Sequence, residues 1–576
     1  MNTRISNQPP IAGVTRRTFL AGAGVGALGI AAAGMFGCSP QSDAPQQQAS
    51  AAEEPKQTSA GATTVEMTET VEADVVVIGT GVSGLTAAIS AAESGAKVTV
   101  LEKLDGLKKI YAHSITAVGT SFQKELGEDW TPEELVAFWN QYPDSDSFMD
   151  TEAQLFAAQH SAESIEWLIE HGVDIVGVTV PPTNPFQVPA RTFVTSADRD
   201  GVKAYLEPLK AKAEELGVEF RFSTEATKIV TDDSGAVTGV ETVSGNTGTL
   251  FNLKSLIVAA GGFGGSPDML RLYAPHTPNC STFDGESQGF ALSQAKTVSA
   301  DVVAPGGTMA YFVNVDGGYG DNPGQGMFVN REGKRWVNEN LYFLDRAGIA
   351  YKQGITEYWA LYDSTLYEQV AAGTGEKALE AGSIVKADTI EELAKKMNVN
   401  VAALKKTVED YNGYCEAGED PDFGKPAVRM GRVFDPEDTK EYDLDLVERE
   451  FTLLNPLATA PFYAIDMTVQ TTALSGTTGG MRTNTDGEVI DVEGKVIPNL
   501  YAVGESANGH LIGYFYPQSG TSLCMCFCFG RYAGAAAAAN AASYSARMLP
   551  VIVLLSMRIN SHKIRFFASC STLVFR

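Results

Sequence analysis

Residues Glu72–Lys103 read EADVVVIGTGVSGLTAAISAAESGAKVTVLEK. An apolar strand, Val75–Ile78, runs into Gly79-Thr80-Gly81-Val82-Ser83-Gly84 and then into a helical pattern. Glycines so spaced let the chain turn tightly, bring backbone amides against a pyrophosphate at the helix N-terminus and pack helix on strand. A second strand, Lys97–Leu101, ends on Glu102, where an acidic side chain accepts hydrogen bonds from a ribose hydroxyl pair. Three spaced glycines alone describe any tight turn. Strand, turn, helix, strand and acid together describe a dinucleotide site, with Gly79, Gly81, Val82, Ser83, Gly84, Glu102 and Lys103 as its first candidate contacts.

The rest of the chain sets bounds on that site. A length of 576 residues with 44% apolar composition allows two or three domains with sizeable cores. A net charge of −27 and no basic stripe exclude nucleic acid as a partner. The first acid of the chain is Asp43, and Arg16-Arg17-Thr18-Phe19-Leu20 precedes an uncharged run to Gly37, which resembles a twin-arginine export signal. A spanning anchor is the alternative, but Gly and Ala make the run poorly hydrophobic. Met35-Phe36-Gly37-Cys38-Ser39 resembles a lipoprotein cleavage box, with Cys38 the lipid acceptor or else a small buried thiol. Residues 39–71 lack aromatics and are rich in Ala, Gln, Ser and Pro, so they read as a disordered tether to the membrane. Seven cysteines do not make a disulfide framework at this length, and Cys524, Cys526 and Cys528 match no metal spacing.

Beyond the opening unit, Gly201–Leu216 has helical spacing, and Val218–Phe222 and Ala236–Val243 read as strands. A buried strand, Ser255–Ala260, ends in Gly261-Gly262-Phe263-Gly264-Gly265, and a second glycine-rich strand end comes at Asn499–Glu505. The intervening residues, including a helical Thr389–Tyr411, differ in character and read as an inserted domain. The expected organisation is a signal over 1–38, a tether over 39–71, a nucleotide-binding domain over 72–275 and 466–545, a capping domain over 276–465, and a tail over 546–576. That tail carries five Lys/Arg and no acid, unlike the acidic body, and is assigned no function.

Several stretches together resemble a known family: VAAGGFGG (Val258–Gly265), MFVNREGKRWVNE (Met327–Glu339), TIEELAKK (Thr389–Lys396), PFYAI (Pro461–Ile465), TTGGMRTN (Thr477–Asn484) and LYAVGES (Leu500–Ser506). In this order they resemble the flavoproteins that include soluble fumarate reductases, urocanate reductases and 3-ketosteroid Δ1-dehydrogenases, over about Val71 to Ala538. The resemblance implies an α/β, Rossmann-like FAD-binding domain with an inserted α+β capping domain. It implies hydride transfer between flavin N5 and a carbon of a C=C or CH–CH bond, with a separate side chain moving the proton. It extends the cofactor contacts to His113, Ser114, Ala226, Ala260, Gly261, Gly262, Gly504, Glu505, Gly520, Ser522 and Leu523. The run around His113 is similar to that of enzymes carrying flavin covalently on histidine, so either a covalent bond or a hydrogen bond to FAD is open there.

The departures bear on substrate. The general-acid arginine of fumarate reductases falls at Phe343, with Tyr342 and Arg346 the nearest polar candidates. The carboxylate-gripping histidine falls at Gly476, and a second arginine falls at Tyr516. A buried dicarboxylate without charged donors is strongly penalised, so fumarate is an unfavourable substrate. Phe343, Tyr342, Tyr514, Phe515 and Tyr516 instead suggest an aromatic, largely neutral pocket. Tyr516-Pro517-Gln518-Ser519-Gly520 resembles the YPGxG segment of steroid dehydrogenases, which implies that Tyr516 and Gly520 polarise a ketone. Only one dinucleotide fingerprint is visible, so a quinol-linked membrane donor or a c-type cytochrome is the expected electron source. The leading expectation is an exported reductase of an enone, acrylate or steroid-like acceptor. A ketosteroid-type dehydrogenase and a catalytically silent flavin electron carrier are the alternatives.

Overall fold

The computed structural model describes residues 65–110, 114–140, 149–179, 191–198, 200–275, 280–282, 285–314, 326–341, 343–370, 382–434, 443 and 445–543. The stretch expected to be an export signal, Cys38 and the basic tail lie outside them. At the centre is a six-stranded sheet in the order Glu488–Ile490, Val496–Ala502, Ser255–Val258, Val75–Ile78, Val98–Leu101, Glu219–Arg221. Only the Glu488–Ile490 edge is antiparallel. Val75–Ile78 sits between two parallel neighbours, pairing Val75 with both Ser255 and Val98. Every residue of these three strands is buried, in keeping with their near-continuous Val, Ile and Leu content, interrupted only by Thr99 and Ser255, in strands covered on both faces. The two glycine-rich strand ends, distant in sequence, are thereby adjacent in space.

Helix Val82–Glu93 covers one face and is itself covered by helix Thr521–Ser543. That second helix is long and apolar enough to cross a membrane, but 67% of its most apolar window is buried, which is the setting of a core helix. Two glycines bring the helices together: a Cβ on Gly534 would lie 2.3 Å from the Ala87 carbonyl oxygen, and one on Gly530 2.9 Å from that of Ser83. Ser90 Oγ donates to the Arg531 carbonyl at 2.6 Å across the same contact.

Two expectations are corrected. Met67–Glu72, assigned to the disordered tether, forms a strand parallel to Thr247–Asn252 at the edge of a four-stranded sheet. Composition speaks to what a segment can bury, whereas this strand is held by backbone bonds to an edge already present. The helical stretch Thr389–Tyr411 is two helices, Ile390–Lys396 and Val401–Ala417. The break falls at Asn398, in the left-handed region at φ +56°, and Asn400 caps the second helix by accepting from Ala403 N–H at 2.9 Å.

Between the two glycine-rich ends lies an antiparallel sheet ordered Met327–Asn330, Tyr358–Tyr362, Phe462–Asp466, Ile384–Ala387. Beside it four charges are buried together. Arg335 donates to both oxygens of Glu339 at 2.9 Å and to both of Asp420 at 2.9 and 2.8 Å, while Lys425 Nζ lies 3.3 Å from Glu339. Burial by itself would raise the Glu339 carboxyl, but Lys425 and Arg335 outweigh it and hold the group below the usual carboxylate range. Burial likewise opposes ionisation of Asp420, and Arg335 holds that carboxyl low as well.

Two predictions follow from this packing. Gly534→Ala should destabilise by about 1–3 kcal/mol through a clash with rigid backbone, whereas Gly413→Ala, in helix Val401–Ala417 with no atom within 4 Å of the new methyl, should stabilise by about 0.5–1 kcal/mol; denaturant midpoints of the two variants check this. Glu339→Gln should cost about 3–5 kcal/mol because it strands buried cations. Depressed folded-state carboxyls contribute stability above their unfolded pKa that is lost as pH falls through the folded value, so wild type should lose stability in acid more steeply than E339Q, read from chemical denaturation at graded pH.

Candidate active site

The glycines of the first turn differ in what surrounds them. Gly79 has φ +105°, and a Cβ there would lie 2.4 Å from the Ala259 carbonyl oxygen; one on Gly84 would lie 2.1 Å from the Gly79 carbonyl oxygen. Rigid backbone, not a movable side chain, forbids a larger residue at both. Around Gly81 no atom comes within 4 Å of an added Cβ. Gly81 is also the N-cap of helix Val82–Glu93, and no side chain caps that turn. The first amides of a 12-residue helix therefore face a cradle with room for an anion at the positive end of the helix dipole.

Glu102 lies beside this cradle, 6% exposed. Its Oε2 accepts from Thr80 N–H at 2.9 Å and Thr80 Oγ1 at 2.7 Å, and its Oε1 from Leu104 N–H at 3.0 Å. A carboxylate offers about four lone-pair sites, so acceptor capacity remains for ribose hydroxyls. Ala226 is buried on the neighbouring strand Glu225–Thr231. Lys103 follows Glu102 in the chain, with its side chain exposed and donating to the Glu286 carbonyl.

Ala260, Gly261 and Gly262 extend from Ser255–Val258 beside the end of the second glycine-rich strand. A Cβ on Gly262 would lie 2.2 Å from Thr477 Oγ1 and 2.5 Å from Glu505 Oε2, and one on Gly504 2.4 Å from Ser83 Oγ. Asn508, which sequence reasoning missed, ties these parts: its Oδ1 accepts from Gly479 N–H at 2.8 Å and its Nδ2 donates to the Thr477 carbonyl at 3.0 Å. Only the local reading ANG, with no spacing signal, marks it in the sequence.

Strand Ser114–Thr116 closes another side. Thr116 donates its N–H to the Gly520 carbonyl at 3.2 Å and its hydroxyl to the Ser519 carbonyl at 2.8 Å. Gly520 has φ +82°, and a Cβ there would lie 2.7 Å from Thr116 N, so glycine is required. Helix Thr521–Ser543 starts at once, placing Ser522 and the buried Leu523 in its first turn. Ser522 N–H donates to the Tyr516 hydroxyl at 3.0 Å. Tyr516 is 8% exposed, and burial pushes its phenol up against the opposing pull of the Ser522 amide, so it stays a neutral O–H donor.

The remaining candidates divide. Tyr342 and His113 lie outside the described residues. Arg346, on helix Phe343–Gln353, turns inward: it is 3% exposed, donates to the Glu339 carbonyl at 3.3 Å and stacks over Phe328 at 5.3 Å. These contacts are with the inserted sheet, where the tetrad's Glu339 carbonyl captures the guanidinium. Two members of the expected aromatic cluster meet the same helix. Tyr514 donates to the Gly348 carbonyl at 3.3 Å, and Lys352 lies over the Tyr514 and Phe515 rings at 4.1 and 4.9 Å. Gly348 makes this possible, since a Cβ there would already touch both rings at 3.4 Å. These two aromatics thus bind the site loop to helix Phe343–Gln353, and burial raises the Tyr514 phenol to about 12.

The cradle, the helix end and the acid match the pyrophosphate and ribose of a dinucleotide, and comparison with known proteins specifies which. A family model described as FAD binding domain matches residues 74–523. A urocanate reductase from Eggerthella lenta is 29% identical over 506 residues, covering 82% of this chain and 75% of that protein. A vinyl phenol reductase from Lactiplantibacillus plantarum is 28% identical, covering 82% and 97%. The crystal structure of 3-ketosteroid-Δ4-(5α)-dehydrogenase from Rhodococcus jostii RHA1 in complex with 4-androstene-3,17-dione superposes with a TM-score of 0.66 at 26% identity, over 83% of this chain and 99% of that one. The fold is that of FAD-binding flavoenzymes, and FAD is the cofactor.

Gly81→Val projects into the cradle from a position whose added Cβ meets no protein atom within 4 Å. It should leave the melting temperature of the flavin-free protein within about 2 °C while weakening FAD binding by at least about 100-fold; flavin fluorescence titration and thermal melts together check this.

Proposed function

We propose, from the premise that the chain belongs to the FAD binding domain family and is an FAD-dependent oxidoreductase of the fumarate reductase and ketosteroid dehydrogenase type, that it reduces the C=C bond of a largely neutral α,β-unsaturated acceptor. The observation that carries this reading is at Gly476, where the resemblance puts a carboxylate-gripping histidine. A Cβ at this position would lie 2.6 Å from Met309 Cε and 2.7 Å from Glu505 Oε1. The ends of two flexible side chains occupy that space, and one of them is an acid. A dicarboxylate approaching it would meet repulsion where it needs a cation, whereas a neutral enone or vinyl arene meets no such cost. The urocanate and vinyl phenol reductases are relatives that act on double bonds bearing different polar groups, in keeping with a family that varies the acceptor.

Bound FAD would supply the hydride to one carbon of the double bond, and a proton transferred with the help of Tyr516 to the other carbon completes the saturated product. Tyr516 supplies the polar contact: its oxygen accepts from Ser522 N–H, which polarises the phenol and leaves its proton to donate toward the acceptor carbonyl. Gly520 fixes the loop from which that tyrosine projects. A specific observation favours a second reading, a ketosteroid-type dehydrogenase running the same chemistry toward the unsaturated product: the superposition, over 83% of this chain, on a ketosteroid enzyme holding a 3-ketone. The reading further includes twin-arginine export, a lipid at Cys38, residues 276–465 as a cap, and a quinol-linked or c-type cytochrome donor; the signal at Arg16-Arg17 and the single dinucleotide fingerprint support these.

Anaerobic reoxidation of the reduced enzyme by enones, vinyl phenols, 3-ketosteroids and fumarate tests the proposal. Neutral acceptors should reoxidise it at least about 100-fold faster than fumarate, and inertness to every neutral olefin defeats the reductase reading. Tyr516→Phe should retain FAD and lower kcat by about 10²–10³-fold; undiminished turnover removes Tyr516 from the chemistry.

A further inference from the structure

The loop Tyr516-Pro517-Gln518-Ser519-Gly520 carries a glutamine where the YPGxG pattern has glycine. Gln518 is fully buried, and its Nε2 donates to Thr116 Oγ1 at 2.9 Å. Thr116, also fully buried, gives its one hydroxyl proton to the Ser519 carbonyl at 2.8 Å, so toward Gln518 that oxygen can only accept. The amide is therefore fixed with its NH2 group on Thr116, and Gln518 Oε1 has no hydrogen-bond partner among the described residues. A buried acceptor left unmade costs stability that an apolar side chain of similar size would not cost. Stability alone does not account for the glutamine.

We propose that Thr116 and Gln518 are positioning residues, a clamp that keeps the Tyr516 hydroxyl on the Ser522 amide. That hydroxyl accepts from Ser522 N–H at 3.0 Å, and residues 517–521 close the ring between the two ends of the bond. Three of the residues in between are held by Thr116: Gln518 through its side chain, Ser519 through its carbonyl, and Gly520 through a carbonyl that accepts from Thr116 N–H at 3.2 Å. Thr116 is itself anchored, because strand Ser114–Thr116 pairs antiparallel with Phe193–Ser196. Without the clamp the loop can shift and carry the phenol off its donor, and a misplacement of about 1 Å costs up to about 100-fold in rate. The inference rests on the reading of Tyr516 as the group that polarises the acceptor and assists the proton.

Turnover of the holoenzyme, driven by reduced methyl viologen, tests it with the fastest acceptor among 2-cyclohexenone, 4-vinylphenol and 4-androstene-3,17-dione. Gln518→Leu strands no buried polar group, since Thr116 keeps its bond to Ser519, so it should retain FAD and melt no lower than wild type. Its kcat should nevertheless fall by about 10-fold, with KM within about 2-fold. Thr116→Val should lose at least as much, whereas Thr116→Ser, which keeps the hydroxyl, should hold at least about half of wild-type kcat. Added to Tyr516→Phe, Gln518→Leu should cost less than about 2-fold more, because the clamp then has no hydroxyl to place. Wild-type kcat in Q518L while Y516F is impaired overturns the clamp alone. An equal loss from Q518L in both backgrounds marks general damage and overturns it too, and undiminished turnover of Y516F removes the reading on which it rests. If Q518L does not fold, T116S decides: turnover as slow as that of T116V overturns the clamp.

Discussion

The fold depends on three backbones crossing closer than any side chain permits. Gly79 lies against the Ala259 carbonyl, and Gly84 against the carbonyl of Gly79 itself. Helix Val82–Glu93 consequently starts directly above the seam between two parallel strands, with its uncapped amides aimed outward. The glycines at 530 and 534 repeat the principle on the helix's other side, so one helix is clamped between sheet and core helix with little freedom to shift. A cofactor site built on such contacts is preorganised: the amides need not move to meet phosphate.

Much of this was legible in residues close in sequence. The unit from Val75 to Glu102 combines strand, turn and helix signals within about thirty residues, and each is enforced by local sterics. What could not be read is contact between distant segments. Nothing in the sequence says that Glu505 occupies the room beside Gly476, that Asn508 clips the Thr477 turn, or that Arg346 is captured by the Glu339 carbonyl. Tyr514 and Phe515 show the difficulty well. Aromatic character predicts burial but not against which element, and here the partners are Gly348 and Lys352 of one helix.

The buried tetrad beside the inserted sheet shows chemistry used for placement. Arg335 and Glu339 are one helical turn apart in number, but Asp420 and Lys425 arrive from a separate segment, and the four cancel in formal charge. Such a cluster tolerates few alternative packings, because every displaced member leaves an uncompensated charge in a dry interior. It fixes the carbonyl to which Arg346 is bound, and with it the helix that receives the Tyr514 loop. Stability of the insert and shape of the reaction site are in this way coupled through a single residue, Glu339.

The edge strand Met67–Glu72 has a consequence for the integrity of the molecule. It covers one side of Thr247–Asn252 with parallel backbone pairing, at the point where the chain leaves the enzyme body for its N-terminal extension. A protease that trims the extension as far as Val71 would strip that cover and bare a row of amides and carbonyls. Such a row is a template for strands from other molecules. The boundary of the enzyme that resists clumping therefore lies before Met67, several residues upstream of the nucleotide fingerprint.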